Sequence, residues 1–287
     1  MAGVTPSFGG LRVLALESRR APEIGTLIRN SGGEPLVAPA LREVPLESNA
    51  EALAFDESLR RGEVDVVIFL TGVGTRALVS VVERTGSRES FLTALRRTKV
   101  VVRGPKPMAA LRELDVPVWL AVPEPNTWRE LLAALDAKAS EQPLAGARVA
   151  VQEYGVSNAD LLDGLRTRGA QVTRVPVYRW ALPEDIEPLK AAVSAVARGE
   201  VDVVMFTTAT QVVHLLQVAQ DMNLQAAVLK GLMRMVIASI GPTTSEELQR
   251  HGLAADLEPS HPKMGFLVRE AAERAAELLR TKRITKD

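Results

Sequence analysis

The sequence predicts an α/β protein made of two similar parallel-sheet domains joined by a two-stranded linker, and three observations predict it. The chain repeats itself once. Each repeated segment opens on a short apolar run, followed by a polar turn and a helical pattern. Two proline-bearing stretches break this rhythm at matching places.

The repeat is visible in three segments that recur in the same order. LRVLALESRRAPEIGTLIRNSGGEPLVAPALREVPLE, from Leu11, runs beside ARVAVQEYGVSNADLLDGLRTRGAQVTRVPVYRWALPE, from Ala147, with Val13 against Val149, an offset of 136. VDVVIFLTGVGTRALVSV, from Val64, runs beside VDVVMFTTATQVVHLLQV, from Val201, at an offset of 137. VVVRGPKPMAALREL, from Val100, matches VIASIGPTTSEELQR, from Val236, with Gly104 against Gly241. Any two α/β units resemble each other. Val-Asp-Val-Val and Gly-Pro recurring at matched places point further, to a duplication.

The apolar runs, in order, are Val13–Leu16, Val66–Leu70, Val100–Val102, Arg148–Val151, Val203–Phe206 and Val236–Ile240. Runs without polar alternation suit parallel strands covered on both faces. The helical patterns that follow place Leu27 with Ile28, and Leu161 and Leu162 with Leu165, on single faces. Gly32-Gly33 and Gly169 follow those helices, where a C-cap falls. Strand, turn and helix in repetition mean right-handed crossovers in parallel sheets.

The proline-bearing stretches, about 37–47 (VAPALREVPLE) and 175–183 (VPVYRWALP), favour extended linkers over helices. If both cross between domains, domain one is discontinuous and holds about residues 1–40 plus 180–287. Domain two is then about 44–175, with a cleft beside both linkers.

Composition agrees. At roughly 150 residues per domain, 287 residues make about two. Apolar residues are 46% of the chain, enough for real cores. Lys plus Arg and Asp plus Glu number 35 each, so no global field draws nucleic acid or anionic lipid. There is no cysteine, which excludes disulfides, thiolate nucleophiles and cysteine zinc sites. MAGVTPSFGG does not read as a signal peptide, and no apolar run approaches the roughly 20 residues of a membrane span. A cytoplasmic protein with no membrane and no nucleic-acid partner is expected. RTKRITKD reads as a solvated helix end.

Open parallel sheets bind ligands at the carboxyl ends of their strands. Those ends carry Glu17-Ser18-Arg19, Leu70-Thr71-Gly72-Val73-Gly74-Thr75-Arg76, Arg103-Gly104-Pro105-Lys106, Gln152-Glu153-Tyr154-Gly155, Thr207-Thr208-Ala209-Thr210 and Gly241-Pro242-Thr243-Thr244. A helix start offers unpaired N–H groups and about half a positive charge, glycine admits a ligand to the backbone, and threonine adds a hydroxyl. Together they make anion-binding machinery without net charge. Ordinary helix capping uses the same residue types. Gly72-Val73-Gly74-Thr75-Arg76-Ala77 also fits a dinucleotide fingerprint. The matching turn Thr207–Val212 has no glycine, however, and no acidic residue ends the next strand. His214, His251 and His261 are scattered without metal-ligand spacing, so a structural role and no metal are expected. Tyr154 ends a strand in the ligand-facing row, and Tyr178 lies in the second linker. A tyrosine, with an ordinary pKa of about 10, is able to donate a proton to a leaving hydroxyl, and equally able to pack as an amphipathic ring.

In order and spacing the chain resembles the uroporphyrinogen-III synthase family over nearly its whole length. The resemblance is carried by VDVVIFLTGVGTRAL, VVRGPKPMAAL, VPVYRWALP, EPSHPKMGFLVREA and, most sharply, SIGPTTSEELQRHGL. It implies two small α/β domains joined by a two-stranded ladder. It also implies a monomeric hydro-lyase of tetrapyrrole and heme biosynthesis that needs no cofactor. The substrate would be hydroxymethylbilane, an octacarboxylate. It loses its terminal hydroxyl as water and closes to uroporphyrinogen III with the last pyrrole inverted. Such a reaction is largely a problem of holding one conformation. Hydroxymethylbilane synthase, which makes the substrate, is the one protein partner implied, through transient contact. Carried over, Tyr178 is the candidate acid. Thr207, Thr208, Thr243, Thr244, Thr71, Gly72, Val73 and Gly104 would bind carboxylates, and Ser18, Arg19, Gly74, Thr75, Lys106, Gln152, Tyr154, Gly155, Thr210 and Gly241 complete the candidate row.

Three departures stand out. Pro107 replaces a usual threonine, Thr71-Gly72-Val73-Gly74 replaces Ser/Thr-x-Asn-Gly, and Gln152-Glu153-Tyr154 replaces an arginine-containing turn. The rival reading is a catalytically degenerate module that senses a tetrapyrrole or other small anion. Loss of Tyr178 or of the Thr243-Thr244 turn would favour it, and both are present. A periplasmic-binding-type sensor would need export or a fused DNA-binding domain. The deaminase that makes the bilane attaches its cofactor through a cysteine, and this chain has none.

Overall fold

The computed structural model describes residues 6–284 apart from 47, 154 and 156. The chain opens with β1 (Arg12–Ala15), α1 (Ala21–Asn30), β2 (Glu34–Val37) and β3 (Arg42–Pro45). Then follow α2 (Ala50–Arg60), β4 (Val66–Phe69), α3 (Gly72–Thr85), α4 (Arg88–Arg96), β5 (Lys99–Val102), α5 (Pro105–Glu113) and β6 (Leu120–Ala121). Next come α6 (Trp128–Ala137), β7 (Arg148–Gln152), α7 (Ala159–Thr167), β8 (Gln171–Val175) and β9 (Tyr178–Ala181). The chain continues through α8 (Glu187–Ala197), β10 (Val203–Phe206), α9 (Ala209–Asp221), α10 (Gln225–Leu232), β11 (Val236–Ser239), α11 (Pro242–Arg250) and α12 (Met264–Ile284).

Two units result. The first comprises the chain up to Arg42 and from Ala181 onward, and the second is Glu43–Trp180. The first unit holds a sheet of order β11-β10-β1-β2, and the second a sheet of order β6-β5-β4-β7-β8. Their pairings are parallel. The repeat falls on one register. Val13 pairs with Val203 and Val203 with Val236 in the first unit. In the second, Val149 pairs with Val66 and Val66 with Lys99. The space order of the strands is therefore the same although their chain order differs.

The aspartates of the repeated Val-Asp-Val-Val do the same work twice. The Asp65 amide donates to Arg148 O (2.9 Å), and its Oδ2 accepts from the Arg148 amide (2.7 Å). Asp202 clasps Arg12 likewise, at 3.0 and 2.9 Å. Each clasp fixes the start of one strand against its neighbour. In the second unit the Arg148 guanidinium also donates to Asp65, and this charged partner holds the carboxyl below the usual aspartate range.

Each sheet buries both faces, and this is why the strands read as continuous apolar runs. Leu14, Leu16, Val204 and Phe206 pack against α8–α11, while Val13, Ala15, Val203 and Met205 pack against α1 and α12. In the second unit Val67 and Phe69 face α2–α5, and Val66 and Ile68 face α6 and α7. Helix ends follow local rules. Gly32 (φ +68°) and Gly169 (φ +84°) terminate α1 and α7 in the left-handed conformation. The capping box Thr127/Glu130 starts α6.

The two stretches read as linkers contain strands. β3 and β9 pair as a two-stranded sheet, while β2 and β8 lie at the sheet edges beside β1 and β7. Pro35 is tolerated within β2 because an edge strand leaves one side of its backbone unpaired. No helix among the described residues is long and apolar enough to cross a membrane.

Candidate functional site

In the second unit the site is built where β4, β5 and β7 end. Thr71 caps α3, its Oγ1 accepting from the Gly74 amide (3.0 Å). The same Oγ1 lies 3.4 Å from the hydroxyl of Tyr178. Tyr178 is on β9, only 6% exposed, with its ring edge-on to Trp180 at 5.5 Å between centroids. The tyrosine hydroxyl thus stands at the start of a helix, where N–H groups favour negative charge.

Gly72 and Gly74 each admit a neighbour. A Cβ at Gly72 would meet Lys106 O at 2.6 Å, so the starts of α3 and α5 touch. A Cβ at Gly74 would stand 2.0 Å from Gln152 Nε2. The glycine spacing that resembles a dinucleotide fingerprint is thereby accounted for by internal packing. Gln152 is wholly buried; its Oε1 accepts from the Thr71 amide at 3.5 Å and its Nε2 donates to Glu153 O. It is scaffold for the turn, not a face for a ligand. Thr75 is likewise internal, its hydroxyl donating to Thr71 O (2.8 Å). Gln152 ends β7 and is covered by the first turn of α3 at Gly74, whereas Thr75 lies in that turn and is turned back onto Thr71.

Gly104 caps α5 without a side chain, beside Asn126. Pro105 and Pro107 remove two N–H groups from the first turn of α5, leaving the amides of Gly104 and Lys106 and the exposed Lys106 side chain. This helix start is a weaker anion holder than its sequence position suggests. Past β7, Glu153 is 4% exposed and forked by Arg174 (Nε–Oε1 3.0 Å, Nη2–Oε2 2.9 Å). Gly155, at φ +70°, lies against Trp180, whose ring a Cβ would meet at 2.2 Å. Tyr154 lies outside the described residues. Val73 is half-buried in the first turn of α3.

The first unit has the counterpart arrangement after β1, β10 and β11. Thr208 caps α9, and the Thr207 hydroxyl donates to Glu17 Oε2 (2.6 Å) while accepting from Gln211 Nε2 (2.9 Å). Gln211 also takes the Thr207 amide (2.7 Å) and donates to Leu16 O (3.0 Å). A glutamine amide therefore ties strand end to helix start in both units, supplied by α9 in one and by β7 in the other. Ser18 Oγ accepts from the Leu41 amide (3.2 Å), and Arg19 is exposed. Thr210 is buried.

At the end of β11, Gly241 caps α11. Thr243 is half-buried and Thr244 is buried. Beneath this turn Ser245 donates to Ser239 (2.9 Å) and contacts Glu258, and Ser239 donates to Gly241 O (3.0 Å). Sequence reasoning did not single out Gln211, Arg174, Ser239 or Ser245, and it placed Glu17 at a strand end without giving it a role. A further signal for Glu17 is its alignment with Glu153 at the repeat offset of 136.

The histidines stay apart. His214 Nδ1 sits 2.7 Å from Ala40 O, His251 contacts Glu247, and His261 stacks edge-on with Phe266. No metal-holding cluster of His, Cys, Asp and Glu exists among the described residues. Two open grooves, one between α6 and α7 lined by Trp128 and Arg168 and one near Met108 and Val118, include no strand-end residue of the candidate row.

Fold and site define a duplicated α/β protein with a discontinuous first unit and capped helix starts at the strand ends of both units. The chain belongs to the uroporphyrinogen-III synthase family: the family described as "Uroporphyrinogen-III synthase HemD" matches residues 22–269. It is 32% identical to the Bacillus subtilis "Uncharacterized protein YjjA" over 92% of this chain and 96% of that one. A mutant uroporphyrinogen III synthase from the extreme thermophile Thermus thermophilus superposes with a TM-score of 0.71 at 26% identity, covering 93% of this chain and 99% of that one. The wild-type enzyme in another crystal form gives 0.55 at 27% identity, with 93% and 98% covered.

Proposed function

We propose that this protein is a uroporphyrinogen-III synthase acting on hydroxymethylbilane. Membership of the family supports the reaction class. The observation that carries the particular reading is the Tyr178 hydroxyl beside the N-cap of α3, 3.4 Å from Thr71 Oγ1. Tyr178 donates a proton as the C–O bond of the terminal hydroxymethyl group breaks and water leaves. The proton lost from the pyrrole carbon when the ring closes restores the balance, so the net change is loss of one water. A general acid in this position contributes about 10²–10⁴-fold. Tyrosinate, once formed, is favoured by the α3 start and the Thr71 hydroxyl. In the second unit Gly104 and Lys106 supply donors for substrate carboxylates; the first unit has its own, Thr208 and Thr243.

The test is a coupled assay. Hydroxymethylbilane synthase supplies the substrate, and the products are oxidised and separated by isomer. Isomer III formed in proportion to added protein supports the reading. Isomer I alone, from folded protein at every concentration, removes it and leaves the anion-sensing module. Tyr178→Phe is expected to lower the isomer-III rate at least about 10²-fold with little change in KM; a rate within threefold of wild type removes Tyr178 as the acid.

A further inference from the structure

Glu17 and Glu153 occupy the same place in the repeat, 136 residues apart, and the two units treat them differently. Glu153 is buried and neutralised by the fork from Arg174, and it also accepts the Ser157 hydroxyl (2.7 Å). The register of the edge strands makes Val37 the counterpart of Arg174 in the first unit, and Val37 has no charge to offer. Glu17 is half-buried, and no lysine or arginine forms an ion pair with it among the described residues. The nearby Arg20 guanidinium is turned to Glu23. Instead Glu17 Oε2 takes the Thr207 hydroxyl proton at 2.6 Å, and Oε1 takes the Arg20 amide at 3.2 Å.

A threonine hydroxyl has one proton. While Glu17 holds it, and Gln211 donates to the same oxygen, Thr207 has nothing to give a ligand. Glu17 thus sits as a ligand carboxylate would, on a hydroxyl and a backbone N–H, and adds a negative charge beside Thr208 that Arg20 opposes only from a distance and no direct ion pair covers. We infer that Glu17 is a resident carboxylate that competes with a substrate carboxylate for Thr207 and so limits the affinity of the strand ends for the polyanion. The inference rests on the synthase reading and names a specificity-determining residue for it. Its use follows from catalysis itself. Grip shared equally by substrate and product adds nothing to turnover, and a competitor built into the chain keeps the product from being held too tightly.

The probe is uroporphyrin III, a stable fluorescent octacarboxylate, titrated into the full chain at fixed ionic strength. Glu17→Ala is expected to tighten binding about fivefold or more, the factor that one like charge about 4 Å away contributes in fully aqueous surroundings. Glu17→Gln keeps the contact with Thr207 but not the charge, and is expected between wild type and Glu17→Ala. Thr207→Val should change wild-type affinity less than twofold, because its proton is already committed. In the Glu17→Ala background the same substitution should weaken binding about fivefold, since the hydroxyl then serves the ligand. Unchanged or weaker binding in Glu17→Ala, equal effects of Thr207→Val in both backgrounds, or no binding by any variant overturns the inference. Failure of the synthase reading is separate: a protein that shows this coupling yet forms only isomer I keeps Glu17 as the competitor and loses the enzyme assignment.

Discussion

Replacing Gly74 by alanine should unsettle the strand ends of the second unit through Gln152. The new Cβ would lie 2.0 Å from Gln152 Nε2 and 2.5 Å from Cδ. Gln152 is wholly buried, so its amide has no open solvent to retreat into. Overpacking of this kind costs about 1–3 kcal/mol. Pushing the amide aside also breaks the bond it donates to Glu153 O, adding about 1 kcal/mol, while the 3.5 Å contact from the Thr71 amide adds less. Alanine repays up to about 1 kcal/mol through its helix propensity. The net loss expected is about 1–3 kcal/mol, read from urea unfolding curves followed by fluorescence. The decisive comparison is a cycle with Gln152→Ala. In that background the clash partner is gone, and Gly74→Ala should cost less than half as much. A Gly74→Ala protein within about 0.5 kcal/mol of wild type, or an equal loss in both backgrounds, would refute the account of why residue 74 is glycine.

Two further outcomes concern strand and helix starts. Asp65→Asn should lower stability by about 1 kcal/mol at neutral pH. Asparagine can still accept the Arg148 amide, so that figure is an upper value for the charge and the guanidinium contacts it loses, in a half-exposed pair. Because the folded carboxyl is held below its unfolded value of about 3.9, the contribution is complete above that pH and disappears as pH falls through the lower, folded value. Stability difference curves between wild type and Asp65→Asn that stay flat down to pH 2 would contradict this. Thr127→Ala should cost about 1 kcal/mol by removing the cap of α6. Burial raises the Glu130 pKa, but the hydrogen bonds from Thr127 outweigh it and leave the carboxyl below its usual range. Loss of the cap should therefore move the Glu130 titration upward in NMR, and an unmoved titration would show that the capping box does not set it.

The duplication, the parallel class of both sheets and the six strands of their centres were legible in the residues alone. The reason is local. A strand buried on both faces must be apolar at every position, and the turn after it must carry capping and glycine residues whatever the rest of the chain does. The offset between Val13 and Val149 and between Val66 and Val203 makes the two sheets equivalent, while which residues pair is seen only in the folded sheets. The edge strands β2 and β8 were not legible, while β3 and β9 fall within the stretches expected as a two-stranded linker. The sequences of β2 and β8 are mixed in polarity and partly exposed, so only a partner strand distinguishes them from extended loops.

Within the candidate site, the loops were marked by pattern, but the direction of each side chain was decided by tertiary contacts. Thr71 meets Tyr178 across 107 residues of chain, and Glu17 meets Thr207 across 190. Nothing in a local pattern marks Gln152 as the amide that forces glycine at 74, or leaves Glu17 without the arginine that Glu153 has. Sequence patterning determines which segments become strand, turn and helix, because those preferences act over a few residues. Which polar groups are consumed internally and which remain for a ligand depends on contacts made after the sheets close, and this the tertiary structure alone decided.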